Sequence, residues 1–77
     1  MSKEKLHRVR ASLGLSQQAL ADLSGISKPT IVDAEKGRAI RLLSAYGILN
    51  ALNEELKKRG RSELSIDAID WNVIEES

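Results

Sequence analysis

The chain has 77 residues, of which 42% are hydrophobic and 30% are charged, with no cysteine and a formal net charge of +1. This length suits one small domain, and the lack of cysteine excludes disulfide bonds and thiolate zinc sites. Because no apolar stretch approaches the ~20 residues of a membrane-spanning helix and no signal peptide is evident, we expect a soluble cytoplasmic protein with no metal, no cofactor and no membrane partner.

The first predicted helix covers residues 3–12. Leu6, Val9 and Leu13 recur along it at i, i+3 and i+7, which is the spacing of one helix face. Gly14 follows as the expected end of the helix.

Two further short helices are predicted over 17–23 and 28–35, joined by a sharp turn. Gly25 lies in that turn and supplies the positive φ that so short a connection requires. Ser16 and Ser27 each precede a helix, where a serine side chain accepts a hydrogen bond from an otherwise unpaired amide. This pattern is a helix-turn-helix, a unit that lays its second helix in the major groove of DNA.

A fourth helix is predicted over 41–58, and Gly60 ends it. Its apolar stripe consists of Leu42, Ala45, Leu49, Leu52 and Leu56. Leu43, Tyr46 and Ile48 make the apolar face wider than one side of a small bundle needs, which predicts contact with a second subunit. The four helices together predict an all-α fold, a four- to five-helix bundle.

Residues 62–77 differ from the rest of the chain in charge and in pattern. They hold five acids and no base, a net charge of −5, whereas residues 1–61 hold all twelve lysines and arginines against six acids, a net charge of +6. A basic body suits a polyanionic partner, although a solvated surface explains such charges equally simply. We therefore divide the chain into a DNA-binding domain, 1–61, and an acidic–apolar extension, 62–77. The extension is predicted to serve dimerisation or another protein contact, with folding back onto the domain as the alternative.

Several short motifs recur in a single register between residues 6 and 56. They are Leu13-Gly14-Leu15-Ser16-Gln17, Leu20-Ala21, Gly25-Ile26-Ser27, Thr30-Ile31 and Glu35-Lys36-Gly37. With these motifs the chain resembles the phage-repressor/Cro-type (XRE-like) helix-turn-helix family. The resemblance implies a lambda-repressor-like DNA-binding domain.

The resemblance also implies which residues touch DNA. At the position of Gln17 the family has a glutamine that binds a backbone phosphate. The positions whose family counterparts approach the bases are Ser27, Lys28, Pro29, Thr30 and Asp33. Lys28 can donate to guanine O6 and N7. Two residues depart from the family pattern: Pro29 offers only apolar contact, and the acid Asp33 is repelled by DNA unless it accepts a hydrogen bond from a cytosine amine.

Charged residues around the predicted recognition helix have two kinds of role. Lys36 and Arg38 follow the helix and are phosphate candidates, with ordinary surface charge as the alternative. Instead of contacting a base, Asp33 can pair with Lys36 along the helix. The family joins an arginine and a glutamate at the positions of Arg10 and Glu35, so the resemblance implies a structural ion pair between the first and third helices.

The sequence offers little support for an enzyme. Its single histidine lies near the start of the chain, and no serine has a partnered histidine or a nucleophile-elbow motif. We therefore predict a dimeric, sequence-specific regulator of duplex DNA, a repressor that occludes the polymerase by analogy with the family. Two alternatives stay open: an antitoxin that binds a toxin and represses its own operon, and a protein-interaction module that does not bind DNA.

Overall fold

The computed structural model describes residues 2–75. Residue 1 of the predicted domain and residues 76 and 77 of the predicted extension lie outside the described residues. The elements follow in the order β1 (Glu4–Lys5), α1 (Leu6–Ser12), α2 (Gln17–Ser24), α3 (Lys28–Glu35), β2 (Ala39–Arg41), α4 (Leu42–Lys58), a 3₁₀ turn (Ile66–Ala68), β3 (Ile69–Asp70) and β4 (Asn72–Ile74). The predicted helical bundle with a helix-turn-helix is confirmed, and α2, α3 and α4 lie within one residue of their predicted ranges. Helix α1 begins at residue 6 instead of 3, because Glu4 and Lys5 form β1.

Side-chain caps and a glycine explain where the helices of the helix-turn-helix begin and turn. Ser16 Oγ accepts a hydrogen bond from the amide of Ala19 at 3.0 Å, and Ser27 Oγ accepts one from the amide of Thr30 at 3.4 Å. Gly25 ends α2 in the left-handed conformation, with φ of 71°. Two local signals, the serine cap and the glycine, therefore set the sharp angle between α2 and α3.

One apolar core joins the four helices to the C-terminal segment. Its most completely buried large side chains are Leu6, Leu20, Ile31, Ile48, Leu52 and Ile69. Helix α4 approaches the turn between α2 and α3 closely at Gly47, where an added Cβ would lie 3.0 Å from Ile26 Cδ1. Since glycine has no side chain, α4 can pack directly against the turn between α2 and α3.

The C-terminal extension folds back onto the domain through two parallel strand pairs. β3 pairs with β1, with Ile69 opposite Glu4, and β4 pairs with β2, with Val73 opposite Ile40. Because β2 follows α3 after only a short connection, the extension bridges the start of the chain and the segment that leaves α3. The sequence predicted the helical bundle but not these two small sheets.

Side-chain hydrogen bonds hold the extension in place. Asn53 Nδ2 donates to the carbonyl of Leu64 at 2.9 Å, and the amide of Leu64 donates back to Asn53 Oδ1 at 2.8 Å. The indole Nε1 of Trp71 donates to the carbonyl of Ile66 at 3.1 Å. The extension thus adopts the folded-back arrangement that the sequence left as an alternative, while its role in dimerisation stays a prediction.

Candidate nucleic-acid interface

Helix α3 buries one face and leaves the opposite face open. Ile31 and Ala34 are buried in the core, whereas Lys28 and Pro29 at the start of the helix are exposed. Asp33 lies one turn after Pro29 and therefore on the same outer side of the helix. The structure thus brings three of the predicted base-contacting positions onto one accessible surface.

The two hydroxyl residues at the start of α3 bind each other. Ser27 Oγ and Thr30 Oγ1 lie 2.9 Å apart in a hydrogen bond, and Ser27 also caps the helix. These contacts orient both side chains at the N-terminal end of α3. A contact of either residue with a base or phosphate stays a prediction.

Exposed cations follow α3, and one of them forms an ion pair. Lys36 and Arg38 are both exposed. Arg38 Nη1 lies 3.2 Å from Asp33 Oδ1. Asp33 therefore pairs with Arg38 and not with Lys36, the partner that helical spacing offers. The spacing of five residues lies outside the usual helical pairs, which is why sequence analysis missed it.

Arg10 and Glu35 form a two-point ion pair between α1 and the last residue of α3. Arg10 Nε lies 2.6 Å from Glu35 Oε2, and Nη2 lies 3.1 Å from Oε1. Arg10 Nη1 donates in addition to the carbonyl of Leu15 at 2.9 Å. The two side chains are only 17% and 8% exposed. This geometry ties α1 to α3 and turns the guanidinium away from solvent.

Gln17, the first residue of α2, reaches the same carboxylate. Its Nε2 donates to Glu35 Oε1 at 2.9 Å, and the residue is half-buried. An amide nitrogen carries two hydrogens, so one remains for a phosphate oxygen. The phosphate contact of Gln17 stays a prediction, and the side chain that would make it is already oriented by Glu35. The sequence did not predict this third member of the cluster, because Gln17 and Glu35 lie on different helices.

The environment of Glu35 keeps it ionised. Burial raises the pKa of Glu35, but the hydrogen bonds from Arg10 and Gln17, together with the Arg10 charge, lower it more, so the pKa lies below its ordinary value of 4.5. At neutral pH the acid and Arg10 therefore cancel each other. The cations of the outer surface, and not Arg10, are the charges that α3 and its flanks present to a polyanion.

The part of the chain that the structure describes shows neither a metal-binding cluster nor a membrane-spanning helix. Among residues 2–75, no three His, Asp or Glu side chains are placed so that they could hold a metal ion. Over the same residues, no helix combines the length and the apolarity needed to span a bilayer.

Comparison with known proteins gives the family. A family model described as helix-turn-helix matches residues 6–59, which include α1 to α4. No curated protein and no solved structure matches the chain significantly. The matched residues contain both helices of the helix-turn-helix and the cluster of Arg10, Gln17 and Glu35. The chain belongs to the phage-repressor/Cro-type (XRE-family) helix-turn-helix proteins, a family of DNA-binding regulators.

Proposed function

We propose that this DNA-binding regulator is a sequence-specific repressor that reads the major groove of duplex DNA with α3. The observation that supports this most is the division of α3 into a buried face, at Ile31 and Ala34, and an open face that begins with Lys28 and Pro29. Because only its buried face packs against the core, α3 can enter a groove without a change in the packing of the core.

Each predicted contact then has a chemical role. The amino group of Lys28 donates to guanine O6 and N7 in the groove. Gln17 at the start of α2 and Lys36 after α3 bind phosphates and set the register on the duplex. Binding of this kind needs no catalytic group, so we propose a non-enzymatic protein that acts on DNA in the cytoplasm.

Selection of bound duplexes from a random library tests the proposal. The chain should enrich one sequence, and its affinity should fall as salt rises, because bound phosphates release counterions. Lys28→Ala should relax the preference at one base position by about 1–3 kcal/mol. Lys57→Ala, which removes an exposed lysine near the end of α4, is the matched control and should leave the preference unchanged. Failure to bind any duplex would favour the protein-interaction module.

We further propose that the protein acts as a homodimer. Leu43 and Tyr46, one turn apart on the same face of α4, form an exposed apolar strip, and Leu43 is 85% exposed. Exposed apolar surface of this kind marks protein contacts. Dimeric helix-turn-helix proteins bind two half-sites about 34 Å apart, so a homodimer would offer one α3 to each half-site.

The apolar strip can be tested by its effect on association. Leu43→Glu should yield monomers in sedimentation at micromolar concentration. The matched control is Leu23→Glu, since Leu23 is also exposed but lies on α2, outside the strip. A Leu43→Glu variant that sediments as the parent does would exclude the strip as the interface.

The antitoxin is the second candidate, and the acidic extension favours it. Residues 62–77 carry a net charge of −5, and within this segment Ile74 is an exposed apolar side chain. Such a surface suits a basic toxin. Co-expression with a neighbouring small gene whose product stops growth tests this function: restored growth supports an antitoxin, and unchanged arrest supports a repressor alone.

A further inference from the structure

The end of α3 brings Asp33 and Arg38 together through the backbone. The amide of Gly37 donates to the carbonyl of Ala34 at 3.2 Å, and the amide of Arg38 donates to the carbonyl of Asp33 at 2.9 Å. Gly37 has φ of 80°. These two bonds and the left-handed glycine form a Schellman motif, which turns the chain back toward the last turn of the helix. Residue 38 is thus fixed beside residue 33.

The side chains then form an ion pair that stays open to solvent. Arg38 Nη1 lies 3.2 Å from Asp33 Oδ1, and the side chains of Arg38 and Asp33 are 66% and 43% exposed. Within residues 2–75 no hydrogen bond to Asp33 Oδ2 is found. Such an exposed pair adds little to stability, so the fold itself does not require an acid at this position.

This pairing changes what Asp33 can do on DNA. An isolated carboxylate on the outer face of α3 would be repelled by phosphate, but the guanidinium of Arg38 offsets its charge at short range. The carboxylate keeps a free oxygen that can accept a hydrogen bond. In the major groove, cytosine offers the N4 donor with no acceptor beside it, whereas adenine places the acceptor N7 next to its N6 donor. A neutralised carboxylate is therefore matched to cytosine.

On the basis of the proposed function, we propose that Asp33 is a specificity-determining residue that accepts a hydrogen bond from N4 of a cytosine. Arg38 is a positioning residue: it holds Oδ1, neutralises the acid and leaves Oδ2 available to the base. The pair works as one unit whose geometry is set by Gly37.

Base-preference profiles of Asp33 variants test the reading of cytosine. Asp33→Ala should lose one cytosine preference by about 5-fold, the lower end of the range for a bidentate base contact, because Oδ2 accepts a single hydrogen bond; the other positions should keep their preferences. Asp33→Asn should change that preference to adenine, because an amide can bond N6 and N7 together. Asp22→Asn is the matched control: Asp22 is an exposed acid on α2 that accepts a hydrogen bond from Gln18, and its loss should leave the profile unchanged.

Arg38 variants test the positioning role. Arg38→Ala should weaken binding to every duplex and reduce the cytosine preference, with an unchanged melting temperature. The double variant Asp33→Ala/Arg38→Ala should recover most of the general affinity, because the uncompensated acid is gone. Arg38→Lys should keep part of the preference, since it restores the charge but not the guanidinium.

The outcomes separate this inference from the function on which it rests. Asp33 variants that bind with the parental profile would overturn it. The inference would also be overturned if Arg38→Ala lost the cytosine preference and Asp33→Ala kept it. Arg38 would then read the guanine of the same base pair. A parent chain that binds no duplex at all would overturn the proposed function itself.

Discussion

Gln17 Nε2 lies 2.9 Å from Glu35 Oε1, so the first residue of α2 is hydrogen-bonded to the last residue of α3. The same carboxylate receives two hydrogen bonds from Arg10 of α1. Three helices therefore meet at a single acid. This contact links the N-terminus of α2 to the C-terminus of α3 and orients the side chain for which we predict a phosphate contact.

Gln17→Ala should lower both stability and general DNA affinity. We expect a loss of about 1 kcal/mol in the free energy of unfolding, because Glu35 keeps its bonds to Arg10. Affinity should fall alike for all duplexes, with an unchanged salt dependence, since glutamine is neutral. Thermal melts and binding isotherms measure the two effects. Gln18→Ala, at the exposed neighbouring position, should show neither; a Gln17→Ala variant with parental melting would show that the bond to Glu35 adds no stability.

Arg10→Ala should destabilise the fold more strongly than a replacement of the whole pair. Loss of one partner of a buried pair costs about 3–5 kcal/mol, and the partial exposure of Arg10 favours the lower end of that range. The double variant Arg10→Met/Glu35→Leu leaves no unpaired charge and should retain more stability. Chemical denaturation of the three proteins decides this. Should Arg10→Ala unfold like the parent and only lose DNA affinity, the guanidinium contacts DNA instead.

Acid should remove the contribution of Glu35. Its folded-state pKa lies below the ordinary value of 4.5, so this contribution is fully present above that value and is lost as the pH falls through the lower, folded-state pKa. Glu35→Gln should be less stable at neutral pH and should lose less stability on acidification. Melting temperatures between neutral and acid pH measure the difference. Glu54→Gln, which removes an exposed acid of α4, should follow the parental curve.

Ile69→Ala tests whether the extension belongs to the core. Ile69 is fully buried in β3, and removing a buried isoleucine side chain to alanine costs about 2–5 kcal/mol. Ile74→Ala is the matched control, since Ile74 belongs to the same extension but is exposed. Its melting temperature at low concentration should stay close to that of the parent. Equal melting of the two variants would contradict the packing of β3 onto the domain.

Most of the helical structure of this protein follows from signals between residues close together in the chain. The serine caps at Ser16 and Ser27, the turn glycine at Gly25 and the apolar spacing act between residues at most a few positions apart, so the ranges of α2, α3 and α4 could be predicted within one residue. The family followed from the same local motifs. The outer positions of α3 were predictable too, because the helical period separates them from the buried residues.

The contacts between distant segments could not be predicted in the same way. Parallel strands need long connections, so the pairing of Glu4 with Ile69 leaves no local turn signal in the chain. The extension shows no single sequence period because it runs from a 3₁₀ turn into two short strands. The contacts of Glu35 with Gln17 and of Asp33 with Arg38 depend on the relative placement of helices and on the turn at a helix end. Helical periodicity carries no information about either contact: Glu35 and Gln17 meet because α2 and α3 pack together, and Asp33 and Arg38 meet because the backbone turns at Gly37.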